Sequence, residues 1–456
     1  MRTRILESGE VVTFEDPNEG RQIRVESHDE GQVTHAEPAE IAAPATPWRA
    51  RWTNAVGQQS FWLATGAIAD DAIVVQADLY STDWSIYNCH IGFLAFDGTI
   101  DLFKTETEGG AAWLYRSAEK DGKIYCCVGG YALVGSPIGG ACCFSRDGTV
   151  EWARFYQRTG GGYVDAGRSS QVVRTAVYVP AAFGGANGVH GLMKFSLDGT
   201  LLWCRQFGGS LDNWTTIQPG AETLDGGLAC FFYGKLLRLD SAGNTLWCKK
   251  FSRAPLLAGY YSEGPLLGDD RIYYSLQNYN VGVTEGTIVG ALSLAGELLW
   301  QKTFTASATV HTSAEDIGVI VAVAKNLTAQ NEIQVVKYTA DGVFEWARQV
   351  TFSASWDYPL AKVHAIPSQG AMHLRIMGYN AGIYKSFSMY LPLNGSGQGD
   401  YGDWTYENCA EPGADTGVWT ISDDPGLVDT LTPYTLVEQS YTLTLTPVAQ
   451  HFGEDA

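Results

Sequence analysis

Positive charge is scarce in this chain. Across its 456 residues, 30 Lys and Arg stand against 50 Asp and Glu, a net charge of −20. Phosphate recognition needs basic patches, so nucleic acid is not an expected partner; the acidic excess suits solubility or docking onto a basic protein surface. Long apolar runs are also missing, so membrane insertion is not expected. The opening Met1-Arg-Thr-Arg-Ile-Leu-Glu-Ser-Gly-Glu10 lacks the apolar segment of a secretory signal, and synthesis in the cytoplasm without an export signal is expected. The eight histidines (His28, His35, His90, His190, His311, His364, His373 and His451) form neither His-x-x-x-His nor a zinc-spaced Cys/His pattern. There is no Gly-x-Ser-x-Gly elbow, no phosphate-binding Gly-Lys-Ser/Thr loop and no Asp-x-Asp-x-Asp-Gly calcium loop. Ser117-Ala-Glu-Lys120 has Ser-x-x-Lys spacing, but it is expected in a loop without partner motifs. These absences argue against an enzyme and against a bound cofactor or metal.

What is present is glycine (52 residues), an aromatic content of 12% and a repeated phrase. A turn glycine is followed four residues later by Trp in Asp147-Gly148-Thr-Val-Glu-Trp152 and Asp198-Gly199-Thr-Leu-Leu-Trp203. The phrase returns in Ala242-Gly243-Asn-Thr-Leu-Trp247, Ala295-Gly296-Glu-Leu-Leu-Trp300 and Asp341-Gly342-Val-Phe-Glu-Trp346. Two weaker copies flank these: Asp97-Gly98-Thr-Ile-Asp-Leu102, with Leu in the Trp place, and Asn394-Gly395. The seven glycines lie 50, 51, 44, 53, 46 and 53 residues apart, a period that marks one supersecondary unit repeated along the chain.

Asp-Gly or Ala-Gly between apolar runs signals a hairpin, because glycine takes positive φ at low steric cost. The runs on either side, such as Leu192-Met-Lys-Phe195 and Trp203-x-x-x-Phe207, read as strands. Two further strand-like runs precede each hairpin. Four strands per repeat, lettered A to D with the Gly turn joining C to D, predict an all-β, seven-bladed β-propeller over residues 47–400. Only six D strands follow their turns well. Trp48-Arg-Ala-Arg-Trp52 has the D pattern without a turn before it, and is expected to complete the seventh blade and close the ring. Asp403-Trp404-Thr-Tyr406 is the competing candidate.

Residues 1–46 read as an acidic docking arm and linker, with Val11–Phe14 and Gln22–Val25 as possible strands. Residues 401–456 form a C-terminal β extension ending in Tyr441-Thr-Leu-Thr-Leu-Thr446, expected to pack on the propeller flank or pair with another chain. The nine cysteines include the vicinal pairs Cys126-Cys127 and Cys142-Cys143. On strands buried on both faces, adjacent cysteines fill opposite sides as small reduced apolar groups.

The segment Leu197-Asp-Gly-Thr-Leu-Leu-Trp203-Cys-Arg-Gln-Phe207-Gly-Gly-Ser-Leu-Asp212 resembles the bacterial propeller repeat known as the SBBP repeat, whose pattern runs turn Gly, Trp, Phe-Gly-Gly and Asp. Leu239–Phe251 fits its first half. The resemblance covers residues 48–400 as architecture and implies a propeller, not a reaction. The vicinal cysteines also resemble those of quinone-dependent propeller dehydrogenases, whose vicinal disulfide lies against the cofactor; that family's calcium site has no match in this sequence.

In such a ring the C–D and A–B turns leave one end of each sheet, and the B–C and D–A loops leave the other. The second set is longer and rich in Tyr, Trp and Asn, which suits recognition. The expected binding residues are Trp84, Tyr87, Tyr131, Asn187, Asn213, Tyr260, Tyr261, Tyr279, Asn280, Trp356, Tyr379 and Asn380. The function expected is a non-enzymatic structural or binding protein. It would be a bacteriophage virion subunit of the tail tip or baseplate, docked to other subunits through residues 1–46 and 401–456 and presenting a face to a host receptor or glycan. A bacterial scaffold or carbohydrate-binding propeller is the alternative, and a quinone-dependent dehydrogenase the third reading.

Overall fold

The computed structural model describes residues 2–5, 11–14, 24–26, 48–52 and 60–447, except 69–71, 81–86, 96–99, 108–109, 132–136, 159–163, 167–174, 184–188, 207–216, 233, 255–259, 262–264, 269, 279–286, 305–306, 310–317, 325–329, 367–369, 381–382, 402–403, 412–417, 425–431, 434–435 and 440–442. Every regular element among them is a β-strand, all pairing is antiparallel, and consecutive strands form four-stranded units. Unit one pairs Ser60–Ile68, Ala72–Tyr80, Tyr87–Ala95 and Ile100–Thr107 in order. Unit two pairs Gly110–Lys120, Lys123–Tyr131, Pro137–Ser145 and Val150–Arg158. Unit three is Val164–Ala166, Ala176–Phe183, Val189–Ser196 and Leu201–Gln206. Unit four is Gln218–Glu222, Leu228–Phe232, Lys235–Leu239 and Thr245–Ala254. In unit five Tyr260–Tyr261 and Leu266–Leu267 share the first place, followed by Arg271–Asn278, Thr287–Ser293 and Leu298–Phe304. Unit six is Ser307–Thr309, Val319–Ala324, Gln330–Tyr338 and the first half of the long strand Phe344–Ile366. The second half of that strand opens the final unit, followed by Ala371–Asn380, Ile383–Pro392 and, from the far end of the chain, Trp48–Trp52.

The core lies between the units. Cys126, Cys142, Phe144 and Phe155 of unit two face Ile91, Phe93 and Phe103 of unit one. Their sequence neighbours Tyr125, Cys127, Cys143 and Tyr156 face Val177, Val179, Met193 and Phe195 of unit three. The same arrangement recurs between units three and four, four and five, five and six, and six and the final unit. The sheets of units two to six are thus apolar on both faces, which is why their strands read as continuous apolar runs and not as alternations. It also explains the vicinal cysteines. Cys126, Cys127, Cys142 and Cys143 form no disulfide and are fully buried, pointing alternately into two different cores.

The repeated phrase is a latch between units. In Ser145–Thr149 the Gly148 N–H donates to the Ser145 carbonyl and the Ser145 N–H to the Thr149 carbonyl, a tight turn followed by a left-handed glycine at φ 84°. A β-bulge follows, so that Trp152 sits opposite Cys143, five residues before the glycine. Trp203, Trp247, Trp300 and Trp346 hold the same register opposite Lys194, Arg238, Ala291 and Lys337. Each indole lies under the turn glycine of the following unit: Trp152 under Gly199, Trp203 under Gly243, Trp247 under Gly296, Trp300 under Gly342 and Trp346 under Gly395. Four of them donate Nε1–H to the carbonyl two residues before that glycine, to Leu197 at 3.0 Å, Ser241 at 3.1 Å, Leu294 at 3.0 Å and Ala340 at 2.8 Å. Such a bond contributes about 1 kcal/mol net, and losing one of the three part-buried ones, to Leu197, Leu294 or Ala340, strands its carbonyl at about 1–3 kcal/mol. Arg154, Arg205 and Arg348, two residues after their tryptophans, also donate to carbonyls of the next turn.

Unit one departs from the expected phrase. It lacks the bulge, so Leu102 pairs with Gly92, one place out of the register that the tryptophans hold. Phe103, opposite Ile91, takes the latch role and packs beneath Gly148. A one-residue change of register had moved the apolar latch by one position.

The tail after residue 400 adds a fifth strand to successive outer edges. Trp404–Asn408 pairs with the outer strand of unit six, Val418–Asp423 with that of unit four, Thr432–Pro433 with unit three, Leu436–Gln439 with unit two and Leu443–Pro447 with unit one. Trp404 and Tyr406 bury into the core between unit six and the final unit, and Ile421 packs on that between units four and five. Between the first two strands, Glu411 reaches Lys302 of unit five and accepts a hydrogen bond from Tyr338. Arg2–Ile5, Val11–Phe14 and Arg24–Glu26 form a separate three-stranded sheet; the linker expected before residue 47 lies outside the described residues.

Candidate binding surfaces

Register brings the expected binding residues to one end of the sheets, but on strands and not on loops. Tyr87 pairs with Tyr80, Tyr131 with Pro137, and Tyr260 and Tyr261 with Asn278 and Gln277. Trp356 pairs with Gln330, Tyr379 with both Asp357 and Tyr384, and Asn380 with Ile383. The sequence reading ended these strands too early, because aromatics that suit a recognition loop also suit a pleated strand. The 23-residue strand Phe344–Ile366 likewise runs through the position expected for a loop at Trp356-Asp357-Tyr358. Ser117–Lys120, expected in a loop, ends the first strand of unit two. Trp84, Asn187, Asn213, Tyr279 and Asn280 lie outside the described residues.

The opposite end carries the Gly turns, and here the side chains are defined. Asp147 Oδ1 accepts from the Ser145 hydroxyl at 2.5 Å and the Thr149 N–H at 3.0 Å, and these bonds hold its carboxyl below the usual range. Asp198 is held the same way by Ser196 and Thr200. In the inner turn of unit four, Asp225 accepts from Thr223 and from the Arg238 guanidinium, which lower its pKa too. These are ionised turn carboxylates on an acidic rim.

Behind the rim, buried polar groups join units three and four. Lys194, 6% exposed, donates Nζ to the carbonyls of Gly226 and Ser241 at 3.1 and 3.2 Å and lies over the Tyr178 ring. Burial lowers its pKa, against the raising effect of Glu222. Burial also pushes the Cys143, Cys204 and Cys248 thiols up to about 12, so they are poor nucleophiles. Buried His190 has its pKa lowered by burial, and neither ring nitrogen has a hydrogen-bond partner. Among the described residues, no group of three or more His, Cys, Asp or Glu is placed to hold a metal ion. No helix among them is long and apolar enough to cross a membrane.

Sequence reading missed the apolar part of this end. Leu202, Leu246, Leu298, Leu299, Val343 and Phe344 are exposed beside the turns. The signal was present, since Leu recurs one residue before Trp in three copies of the phrase.

The chain matches no protein-family model and no curated protein. Among solved structures it is similar to a subtype N11 neuraminidase-like protein of A/flat-faced bat/Peru (H18N11), at 11% identity and TM-score 0.41, covering 80% of this chain and 96% of that one. It is also similar to the WD40 domain of SCAP from fission yeast, at 7% identity and TM-score 0.38, covering 76% and 98%. These likenesses carry no functional argument.

Proposed function

We propose that the seven units are blades of one β-propeller ring, closed by Trp48–Trp52, and that the protein is a non-enzymatic binding or scaffold subunit. One observation carries the ring. Trp48 pairs with Tyr390, five residues before Gly395, the register that the other tryptophans hold to their own turn glycines. Trp48–Trp52 is therefore the missing outer strand of the seventh blade. In support, Ala371–Asn380 and Ile383–Pro392 of that blade lie against Ser60–Ile68 of the first. Two-dimensional class averages of the purified protein should show a closed seven-fold disc; an open stack or another count refutes it.

The assembly we infer is a bacteriophage virion, with the protein at the tail tip or baseplate. The net charge of −20 and the separate N-terminal sheet suit a subunit that docks through its arm, residues 1–46. With the tail strands laid on the chain's own outer edges, the arm is the segment left to reach a neighbour. Co-purification with particles, lost on removal of residues 1–46, tests this; a protein absent from particles refutes it. A glycan-binding propeller is favoured instead by the gathering of Tyr87, Tyr131, Tyr260, Tyr261, Trp356 and Tyr379 at one end of the sheets. A glycan-array signal abolished by Tyr131→Ala and Tyr379→Ala supports that reading.

A further inference from the structure

The third residue after each turn glycine is the bulge position on the outer strand. It is Leu202 in unit three, Leu246 in unit four and Leu299 in unit five, exposed by 53%, 53% and 46%. Leu298 precedes the last, and Val343 and Phe344 follow the turn of unit six. Trp300, next to Leu299, lies under Gly342, next to Val343, so these two groups adjoin. The turn does not require an apolar residue here. Glu151 in unit two and Glu345 in unit six occupy the same position in the same register, tied to Lys123 and Lys337. The exposed apolar positions thus run as a ridge across units three to six, with ion-paired Glu151 in unit two beyond one end and ion-paired Glu345 next to Phe344 at the other. A repeated exposed apolar feature of this kind, rimmed by polar groups, marks an interaction site.

The rim says what covers it. Asp198 and Asp240 beside the ridge are held by hydroxyl and amide donors and so keep their negative charge for a partner. A second copy would bring the same carboxylates and the same net charge of −20 against them. We propose that the ridge formed by Leu202, Leu246, Leu298, Leu299, Val343 and Phe344 is a docking surface for a basic protein that lays an apolar stripe across units three to six and sets Lys or Arg against the turn carboxylates. This rests on the reading of the chain as a binding or scaffold protein and names the kind of partner.

The test uses the full chain and a synthetic amphipathic Leu/Lys helical peptide in about 0.3 M salt, where attraction between exposed charges is largely screened. Titration should show saturable binding, weakened about tenfold or more by Leu202→Glu or Leu299→Glu. Leu224→Glu is the control: Leu224 is 61% exposed in another turn of unit four, outside the ridge, and the same added charge there should leave binding unchanged. Leu299→Ser, which adds no charge, should weaken binding in the same direction. The proposal is overturned by no binding, by equal loss in Leu224→Glu and the ridge variants, or by concentration-dependent self-association that Leu299→Ser abolishes. Glycan or particle binding by the unaltered chain, with no binding of the peptide, would overturn the ridge alone and leave the binding reading standing.

Discussion

Gly122 and Gly342 have almost the same backbone, at φ 75° and 76°, but different surroundings. A Cβ at Gly122 meets nothing within 4 Å, whereas at Gly342 it would lie 2.5 Å from Trp300 Cδ2 and 2.8 Å from Cγ. Comparing Gly122→Ala with Gly342→Ala therefore separates the backbone cost from the latch. A non-glycine residue in the left-handed region costs about 1–2 kcal/mol, and both variants carry it. Only Gly342→Ala also displaces an indole held by its 2.8 Å bond to the Ala340 carbonyl and packed against the core between units five and six. Overpacking of this kind costs about 1–3 kcal/mol, and the indole bond about 1 more if it breaks. Expected losses are about 1–2 kcal/mol for Gly122→Ala and about 3–6 kcal/mol for Gly342→Ala with the indole bond broken, from urea unfolding with m-values compared. Adding Trp300→Leu to Gly342→Ala should recover part of the difference as a coupling energy. Equal losses in the two alanine variants, or no coupling, refute the latch.

Trp48→Ala should lower the unfolding free energy by an amount like that of Trp203→Ala, about 3–5 kcal/mol, if Trp48 is the seventh latch; a change under about 1 kcal/mol counts against closure. A chain ending at residue 400 loses five edge strands and the burial of Trp404, Tyr406 and Ile421, and should aggregate or bind a hydrophobic dye; a soluble, monomeric product refutes the tail's structural role. His190 is easier to protonate unfolded than folded, so stability is full above its unfolded pKa of about 6.5 and falls as pH drops below it, by at most about 1.4 kcal/mol per pH unit. His190→Phe should flatten the urea midpoint between pH 7 and pH 5; an unchanged slope refutes this source.

Strand content and the turns were legible in the sequence because glycine and tryptophan carry strong local signals. The Gly148, Gly199, Gly243, Gly296, Gly342 and Gly395 turns all have positive φ. What each Trp touches was not legible, since its partner lies in the next unit, 38–47 residues ahead. Phe103 shows a second limit. A bulge adds one residue to a strand without any signature in composition, and its absence in unit one moved the latch away from Leu102. Of the tail strands only the last was visible as alternation, in Tyr441–Thr446, and which edge each one joins depends on register over great sequence separations, such as Lys249 with Asp423. The ridge was overlooked because Leu before Trp looks like ordinary core.

The tail runs round the molecule against the order of synthesis. The ribosome makes unit one first, yet unit one receives its edge strand, Leu443–Pro447, last. Trp48–Trp52, made before any unit, waits for Ile383–Pro392, made after nearly all of them. Neither seam can form while the chain is still emerging, so a nascent chain carries several unsealed sheet edges for most of its synthesis time. Translation rate and chaperone supply should therefore govern the yield of this protein more than the equilibrium stability of any one unit, and termination before residue 443 would release a molecule with its earliest-made unit unfastened.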